Sequence, residues 1–99
     1  MPVTTVFDQG ELTAYLSGDI DHHSAREMRK VIDGDIERCH PRLLSLDFRN
    51  VRFMDSSGIG LIMGRYRLIK LTGGKIKLEN VPRTLERLIA LSGIRTITE

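Results

Sequence analysis

The 99-residue sequence is poor in several features that would define a function class. It has one cysteine, Cys39, so no disulfide can form within the chain, which fits a reducing compartment. It has no tryptophan, and aromatic residues make up 5% of the chain, which leaves few side chains on which bases could stack. No apolar run approaches the roughly 18 residues that span a membrane. We therefore expect a cytoplasmic protein with neither nucleic acid nor membrane among its partners.

Concentrated charge and the common catalytic motifs are also missing. The formal net charge is +2, and the lysines and arginines are scattered along the chain rather than gathered into a basic run. The first residues show no basic region followed by an apolar stretch, so no signal peptide is expected. Neither a Gly-x-Ser-x-Gly nucleophile elbow nor a Gly-x-x-x-x-Gly-Lys phosphate-binding loop occurs. We expect a protein that is not an enzyme and that holds no cofactor and no metal.

The chain does show strand-like and helix-like segments in alternation. Strands are predicted at residues 3–7, 11–17, 43–48, 75–79 and 94–98. Helices are predicted at residues 24–39, 57–71 and 82–92, with Gly73 and Gly93 as stop signals. A Ser24-x-x-Glu27 capping box is expected to start the first helix. The order β-β-α-β-α-β-α-β predicts one α/β domain over residues 1–99, with a mixed, partly parallel sheet.

The second predicted helix is too apolar for a single buried face. Helical spacing assigns its core stripe to Ile59, Ile62, Met63, Tyr66 and Ile69. Leu61 and Leu68 then lie outside that stripe, on a flank that either packs against a neighbouring helix or faces a partner. The basic residues of this helix are expected to be solvated, namely Arg65, Arg67 and Lys70.

The most informative segment is residues 53–60, with the sequence Phe-Met-Asp-Ser-Ser-Gly-Ile-Gly. It places two hydroxyls and two glycines where a strand is predicted to meet a helix, and such junctions present their groups outward. Phosphorylation of Ser56 would add about −1.5 to −2 charge, which a helix N-terminus tolerates but a docked partner does not. The same residues also suit a plain helix cap with glycines for close packing, and the local pattern leaves both interpretations open.

A second group of polar residues is Asp21-His22-His23. Adjacent histidines suggest a metal site, but two imidazoles rarely hold an ion without further ligands. A polar segment leading into the first helix is the plainer interpretation. The three residues also resemble the DHH phosphoesterases, which need several further Asp and His motifs that this chain lacks.

Taken together, residues 16–25 and 53–66 resemble the anti-sigma factor antagonists, the small STAS-domain proteins, and within them the sporulation group of the sigma-F pathway. Residues 91–94, Leu-Ser-Gly-Ile, add a weaker third element. The similarity covers nearly the whole chain. A related antagonist from another partner-switching pathway, such as the general stress response, remains the alternative.

The resemblance implies a phosphorylation cycle. The unphosphorylated protein would bind an anti-sigma factor that is also a serine kinase and so free the sigma factor. That kinase would use its own ATP to phosphorylate Ser56, and the complex would then dissociate. A PP2C-type phosphatase would remove the phosphate and restore the binding form.

The resemblance also implies a set of partner-binding residues beside the acceptor serine. These are Asp19 and Asp21 in the preceding loop, with Ser57 and Gly58 shaping the acceptor segment. We also expect His22 and His23 beside that loop, and Leu61 on the apolar flank of the helix, to contact the partner. Members of this family usually continue past the last strand into another helix, whereas this chain ends at Glu99. We expect that difference to affect the sheet face which such a helix covers, and not Ser56.

Overall fold

Seven elements follow one another in the computed structural model, which describes residues 2–91. The strands are β1 (Val3–Asp8), β2 (Glu11–Ile20), β3 (Leu43–Met54) and β4 (Lys75–Glu79). The helices are α1 (His22–Cys39), α2 (Ser56–Leu71) and α3 (Arg83–Leu91). The predicted α/β class and element order are confirmed over this range. The strand predicted at residues 94–98 and the stop at Gly93 lie outside the described residues.

The four strands form one mixed sheet in the order β1-β2-β3-β4. β1 pairs antiparallel with β2 through a tight turn in which Gln9 and Gly10 have φ of 50° and 84°. β2, β3 and β4 run parallel, so α1 and α2 are the crossover connections between them. Right-handed crossovers that progress in one direction along a sheet place both helices on the same face. α1 contacts β1 and β2, α2 contacts β3 and β4, and the two helices contact each other.

β2 and β3 both extend beyond their predicted ends. Gly18 was expected to break the second strand, but β2 continues to Ile20. Gly18 has φ of 82°, and the pairing with β3 shifts its register next to this residue instead of ending there. The pairing with β3 resumes after this irregularity and ends with Ile20 opposite Met54. This extension lengthens both strands at their carboxyl ends, where α1 and α2 begin.

The core lies between the sheet and its two crossover helices. Leu12, Ala14 and Leu16 alternate along β2, and all three are buried. The residues that are completely inaccessible include Met28 and Ile32 of α1, Leu44, Leu46 and Phe48 of β3, and Ile62 and Ile69 of α2. Leu85 and Ile89 of α3 join the same cluster. Among residues 2–91, no helix has the length and apolar character needed to cross a membrane.

Candidate functional site

The strand–helix junction at Ser56 is held by the residue that precedes it. Asp55 is the N-cap of α2, and its carboxylate Oδ1 accepts a hydrogen bond from the Ser57 backbone N–H at 2.8 Å. The Asp55 N–H donates to the Ile20 carbonyl at 3.1 Å, and the Asp55 carbonyl accepts from the Gly58 N–H at 2.9 Å. The junction is therefore fixed both to the end of β2 and to the first turn of α2.

Ser56 is the first residue of α2, and its side chain is exposed. Within residues 2–91 no group forms a hydrogen bond with its hydroxyl. Ser57 is half-buried and Gly58 is buried. Of the two adjacent serines, Ser56 thus offers the more accessible hydroxyl to an approaching protein.

Gly58 allows the first turn of α2 to lie directly against the end of β3. A Cβ atom built on Gly58 would lie 2.1 Å from Cγ and 2.3 Å from Sδ of Met54, far inside contact distance. Gly58 is not among the residues with positive φ. Glycine is needed here because of space and not because of backbone conformation.

Two exposed carboxylates neighbour the junction, because Ile20 pairs with Met54 at the ends of β2 and β3. Asp19 lies in the last part of β2, with Oδ1 at 3.5 Å from Nη2 of Arg52. Asp21 follows the strand and is the N-cap of α1. The structure therefore places Asp19 and Asp21, the two predicted acidic residues, at the same end of the sheet as Ser56, where β2 and β3 have their carboxyl ends.

The predicted N-cap of α1, Ser24, was wrong by three residues, because the N-cap is Asp21. Asp21 Oδ1 accepts from the Ser24 N–H at 2.9 Å, and Ser24 Oγ accepts from the Asp21 N–H at 3.0 Å, so the capping box is Asp21–Ser24. Ser24 Oγ also donates to the Asp19 carbonyl at 2.8 Å. The hydrogen bond from the Ser24 backbone lowers the pKa of Asp21, and the Ser24 hydroxyl lowers it further. Asp21 is therefore a structural cap as well as a surface carboxylate.

His22 and His23 form the first turn of α1, and both are exposed. His22 Nε2 lies 3.3 Å from Nη2 of Arg26, and His23 Nε2 lies 3.5 Å from Oε2 of Glu27. Among residues 2–91 no group of three or more His, Cys, Asp or Glu side chains is arranged to hold a metal ion.

A groove of about 570 Å³ runs between α1 and α2 and begins beside the acceptor segment. We call it the α1–α2 groove. α1 contributes His22, Arg26 and Arg29 to it, and α2 contributes Ser57, Gly60 and Gly64. A Cβ atom on Gly60 or Gly64 would meet no atom within 4 Å, so the helix backbone itself forms an open wall.

Leu61 also lines this groove, but it is only 3% exposed and belongs to the core cluster. Of the two alternatives for this flank, the structure shows packing against a neighbouring helix, since Leu61 is buried where α2 contacts α1. The helix wedges between the sheet and α1, which buries a second side of it. As a contact for a partner, Leu61 stays an untested prediction, and it offers little surface for one.

Arg65 was expected to be solvated, and this prediction was wrong too. Its side chain is 7% exposed and pairs with Asp33 of α1, with Nε at 2.8 Å from Oδ1. Its Nη1 donates to the Leu61 carbonyl at 3.2 Å. Burial lowers the pKa of the Arg65 guanidinium, Asp33 opposes this, and the neighbouring charges of Arg29 and Arg67 lower the pKa further.

A family model described as the STAS domain matches residues 3–98. The chain belongs to the STAS domain family. An anti-sigma F factor antagonist from Paenibacillus polymyxa is 40% identical over 86 residues, which cover 87% of this STAS domain chain and 74% of that protein. An anti-sigma-B factor antagonist from Bacillus subtilis (strain 168) is 29% identical, over 93% of this chain and 83% of the relative.

Two solved structures are also similar to this STAS domain. The anti-sigma factor antagonist SpoIIAA in its unphosphorylated form matches with a TM-score of 0.83 at 28% identity, covering 92% of this chain and 80% of that one. The Bacillus cell fate determinant SpoIIAA in the phosphorylated form matches with a TM-score of 0.76 at 28% identity, covering 92% and 83%.

The predicted site residues of this STAS domain divide into two groups. Asp19, Asp21, His22 and His23 are exposed at the sheet edge that carries Ser56. Ser57, Gly58 and Leu61 instead lie along the first turns of α2 and are partly or fully buried.

The arginines of the groove wall were missed by sequence reasoning about this STAS domain. His22, Arg26 and Arg29 are spaced four and three residues apart, which puts them on one face of α1. That spacing was the available signal. The facing residues of α2 are at least 28 positions away in the chain (Ser57 against Arg29), so only the fold brings the two sets together.

Proposed function

We propose that the protein is an anti-sigma factor antagonist controlled by phosphorylation of Ser56. In its unphosphorylated form it binds an anti-sigma factor that is also a serine kinase, and so frees a sporulation sigma factor in the cytoplasm. The kinase transfers phosphate from its own ATP to Ser56, the complex dissociates, and a PP2C-type phosphatase restores the starting state. The similarity to an anti-sigma F factor antagonist at 40% identity supports this class of partner.

The observation that carries the proposal is the exposed Ser56 hydroxyl on a rigid cap. The Asp55 hydrogen bonds fix the position of Ser56 without engaging its side chain. A phosphate there carries about −1.5 to −2 charge, and a helix N-terminus favours nearby negative charge by roughly 0.3–1 kcal/mol. The modified domain therefore stays folded, while a partner surface pressed against the dianion loses binding free energy through desolvation and repulsion.

Two substitutions at the acceptor position test the proposal. Ser56→Ala should bind the purified anti-sigma factor of the same host persistently in the presence of ATP, and Ser56→Asp should bind at least tenfold more weakly. Thr84→Ala is the matched control, because Thr84 is an exposed hydroxyl residue in the first turn of another helix, α3, and it should bind and be released like the wild type. Mass spectrometry after incubation with the kinase and ATP should place one phosphate on Ser56. Equal affinity of the Ala and Asp variants would rule the proposal out.

The choice between pathways needs a direct comparison. The similarity to an anti-sigma-B factor antagonist at 29% identity makes a stress-response circuit the second candidate. Anti-sigma F and anti-sigma-B factors from the same host can be tested in parallel by calorimetry. Our proposal expects tighter binding of the anti-sigma F factor, and the reverse order would assign the protein to the second circuit.

A further inference from the structure

The α1–α2 groove carries an unusual concentration of positive charge. Arg26, Arg29 and Arg67 line it and are exposed, and within residues 2–91 none of the three forms an ion pair with a carboxylate. Asp33, one helical turn beyond Arg29, is already paired with Arg65. The part of the groove that the structure describes has no aspartate or glutamate in its lining.

Arg65 provides a separate sign that these charges converge. Arg29 approaches it from α1 and Arg67 from α2, and both disfavour its protonated form. Such mutual repulsion is relieved when an anion enters the space that the guanidinium groups share. The positive charge that lines the groove therefore favours a negatively charged occupant.

The shape of the groove suits a polypeptide segment. Gly60 and Gly64 are one helical turn apart and leave that wall without side chains. At its near end the groove includes Ser57, the residue after Ser56. A protein that docks over Ser56 therefore also covers the mouth of the groove.

We propose that the α1–α2 groove binds an acidic segment of the same partner that docks over Ser56. This inference rests on the proposed function. A neutral partner surface laid over three guanidinium groups that have no carboxylate partner would remove their charges from water without compensation, which is strongly unfavourable. Carboxylates supply the missing charge through bidentate pairs with arginine.

This arrangement also explains how a single phosphate could release the partner. A dianion on Ser56 lies next to the groove mouth, where it repels the partner's carboxylates and competes with them for the arginines. Release then depends on charge at the groove and needs no change in fold.

Charge reversal in the groove tests the inference. Arg26→Glu and Arg29→Glu should each weaken binding of the purified anti-sigma factor on the order of tenfold or more, measured by calorimetry. Lys30→Glu is the matched control, because Lys30 is exposed on the same helix, does not line the groove and undergoes the same change of charge. It should change the affinity less than threefold. Gly64→Leu adds bulk to the groove without a charge change and should also weaken binding.

A second probe tests the groove without the anti-sigma factor. Hexaglutamate added to the isotope-labelled protein should shift the amide resonances of Gly60 and Gly64, whereas hexaglutamine should not. A response to inorganic phosphate in the absence of any response to hexaglutamate would identify a phosphate site and overturn the inference.

The outcomes separate this inference from the proposed function. If the wild-type protein binds the anti-sigma factor and both charge-reversal variants bind equally well, the acidic-segment proposal fails and the switch at Ser56 stands. If the wild-type protein does not bind the anti-sigma factor at all, both proposals fail.

Discussion

Gly58 shows how much of the acceptor site depends on a single missing side chain. Its hydrogen atom faces Met54, and any Cβ would overlap the Met54 side chain. The acceptor serine lies two residues before this contact. The position of its hydroxyl is therefore coupled to the packing of a methionine in the strand.

We predict that Gly58→Ala lowers the free energy of unfolding by about 1 kcal/mol or more, because overpacking outweighs the gain in helix propensity. Gly64→Ala is the control, since its Cβ would meet no atom within 4 Å. That substitution should raise the free energy of unfolding by about 0.5–1 kcal/mol. Urea denaturation measures both, and a Gly58→Ala variant as stable as the control would contradict the tight contact.

At the scale of elements, the pair Arg65–Asp33 connects the two crossover helices. Arg65 is buried, whereas the side chain of Asp33 is 36% exposed. The pair joins α1 to α2 beside the α1–α2 groove, which Arg65 also lines. Removal of the Asp33 carboxylate leaves the buried Arg65 guanidinium without its ion-pair partner.

We predict that Asp33→Ala destabilises the protein by about 2 kcal/mol, less than a fully buried pair because water reaches Asp33. Arg65→Met in the same chain should restore much of that loss, since no buried charge then remains. A double-mutant cycle by chemical denaturation gives the coupling. Additive effects of the two substitutions would show that the ion pair contributes nothing.

The strands were predictable where apolar residues alternate without interruption, as in residues 12–16 of β2 and residues 44–48 of β3. The start of α1 was not, because Asp21-x-x-Ser24 and Ser24-x-x-Glu27 both have capping potential. The extension of β2 to Ile20 decided between them by placing Asp21 at the end of a strand. The exposed position of Ser56 followed from the local motif.

The burial of Arg65 could not be predicted in the same way. It depends on Asp33, which is 32 residues away in the chain. Local patterning does not report a contact of that range, and an arginine on the same helix as Arg67 and Lys70 resembles one of a set of solvated basic residues. The groove was missed for the same reason, because its arginines lie on α1 and its glycines on α2, and only the fold places the two walls side by side.

At the scale of the whole molecule, stability should depend on pH through carboxylates in the sheet and the caps. The Ser45 hydroxyl, which donates to Glu79 Oε1 at 2.6 Å, lowers the pKa of Glu79, and Lys77 lowers it further. The ordinary pKa of Glu79 is 4.5, and that of Asp21, also lowered in the folded protein, is 3.8. Both groups are more acidic folded than unfolded.

We therefore predict that the contribution of these carboxylates to the free energy of unfolding is complete above their ordinary pKa values. It is lost as pH falls through the lower pKa values of the folded protein. Melting temperatures should fall steeply below about pH 4.5. Glu79→Gln should make the melting temperature fall less with decreasing pH. At pH 7 the melting temperature should drop only by the loss of the contacts of Glu79 with Ser45 and Lys77. An unchanged pH profile in this variant would show that the Ser45–Glu79 contact does not tether β4 to β3.

The turn at Gln9 and Gly10 has a consequence for the order of folding. Arg42, just before β3, donates from its backbone N–H to the Gly10 carbonyl at 2.9 Å and from Nη2 to the Gln9 carbonyl at 2.9 Å. A hairpin closes in roughly 1–10 μs from contacts close in sequence, whereas the parallel pairings wait for two helical crossovers. The β1–β2 hairpin can thus form a template on which β3 later aligns, before the junction between β3 and α2 at Ser56 is in place.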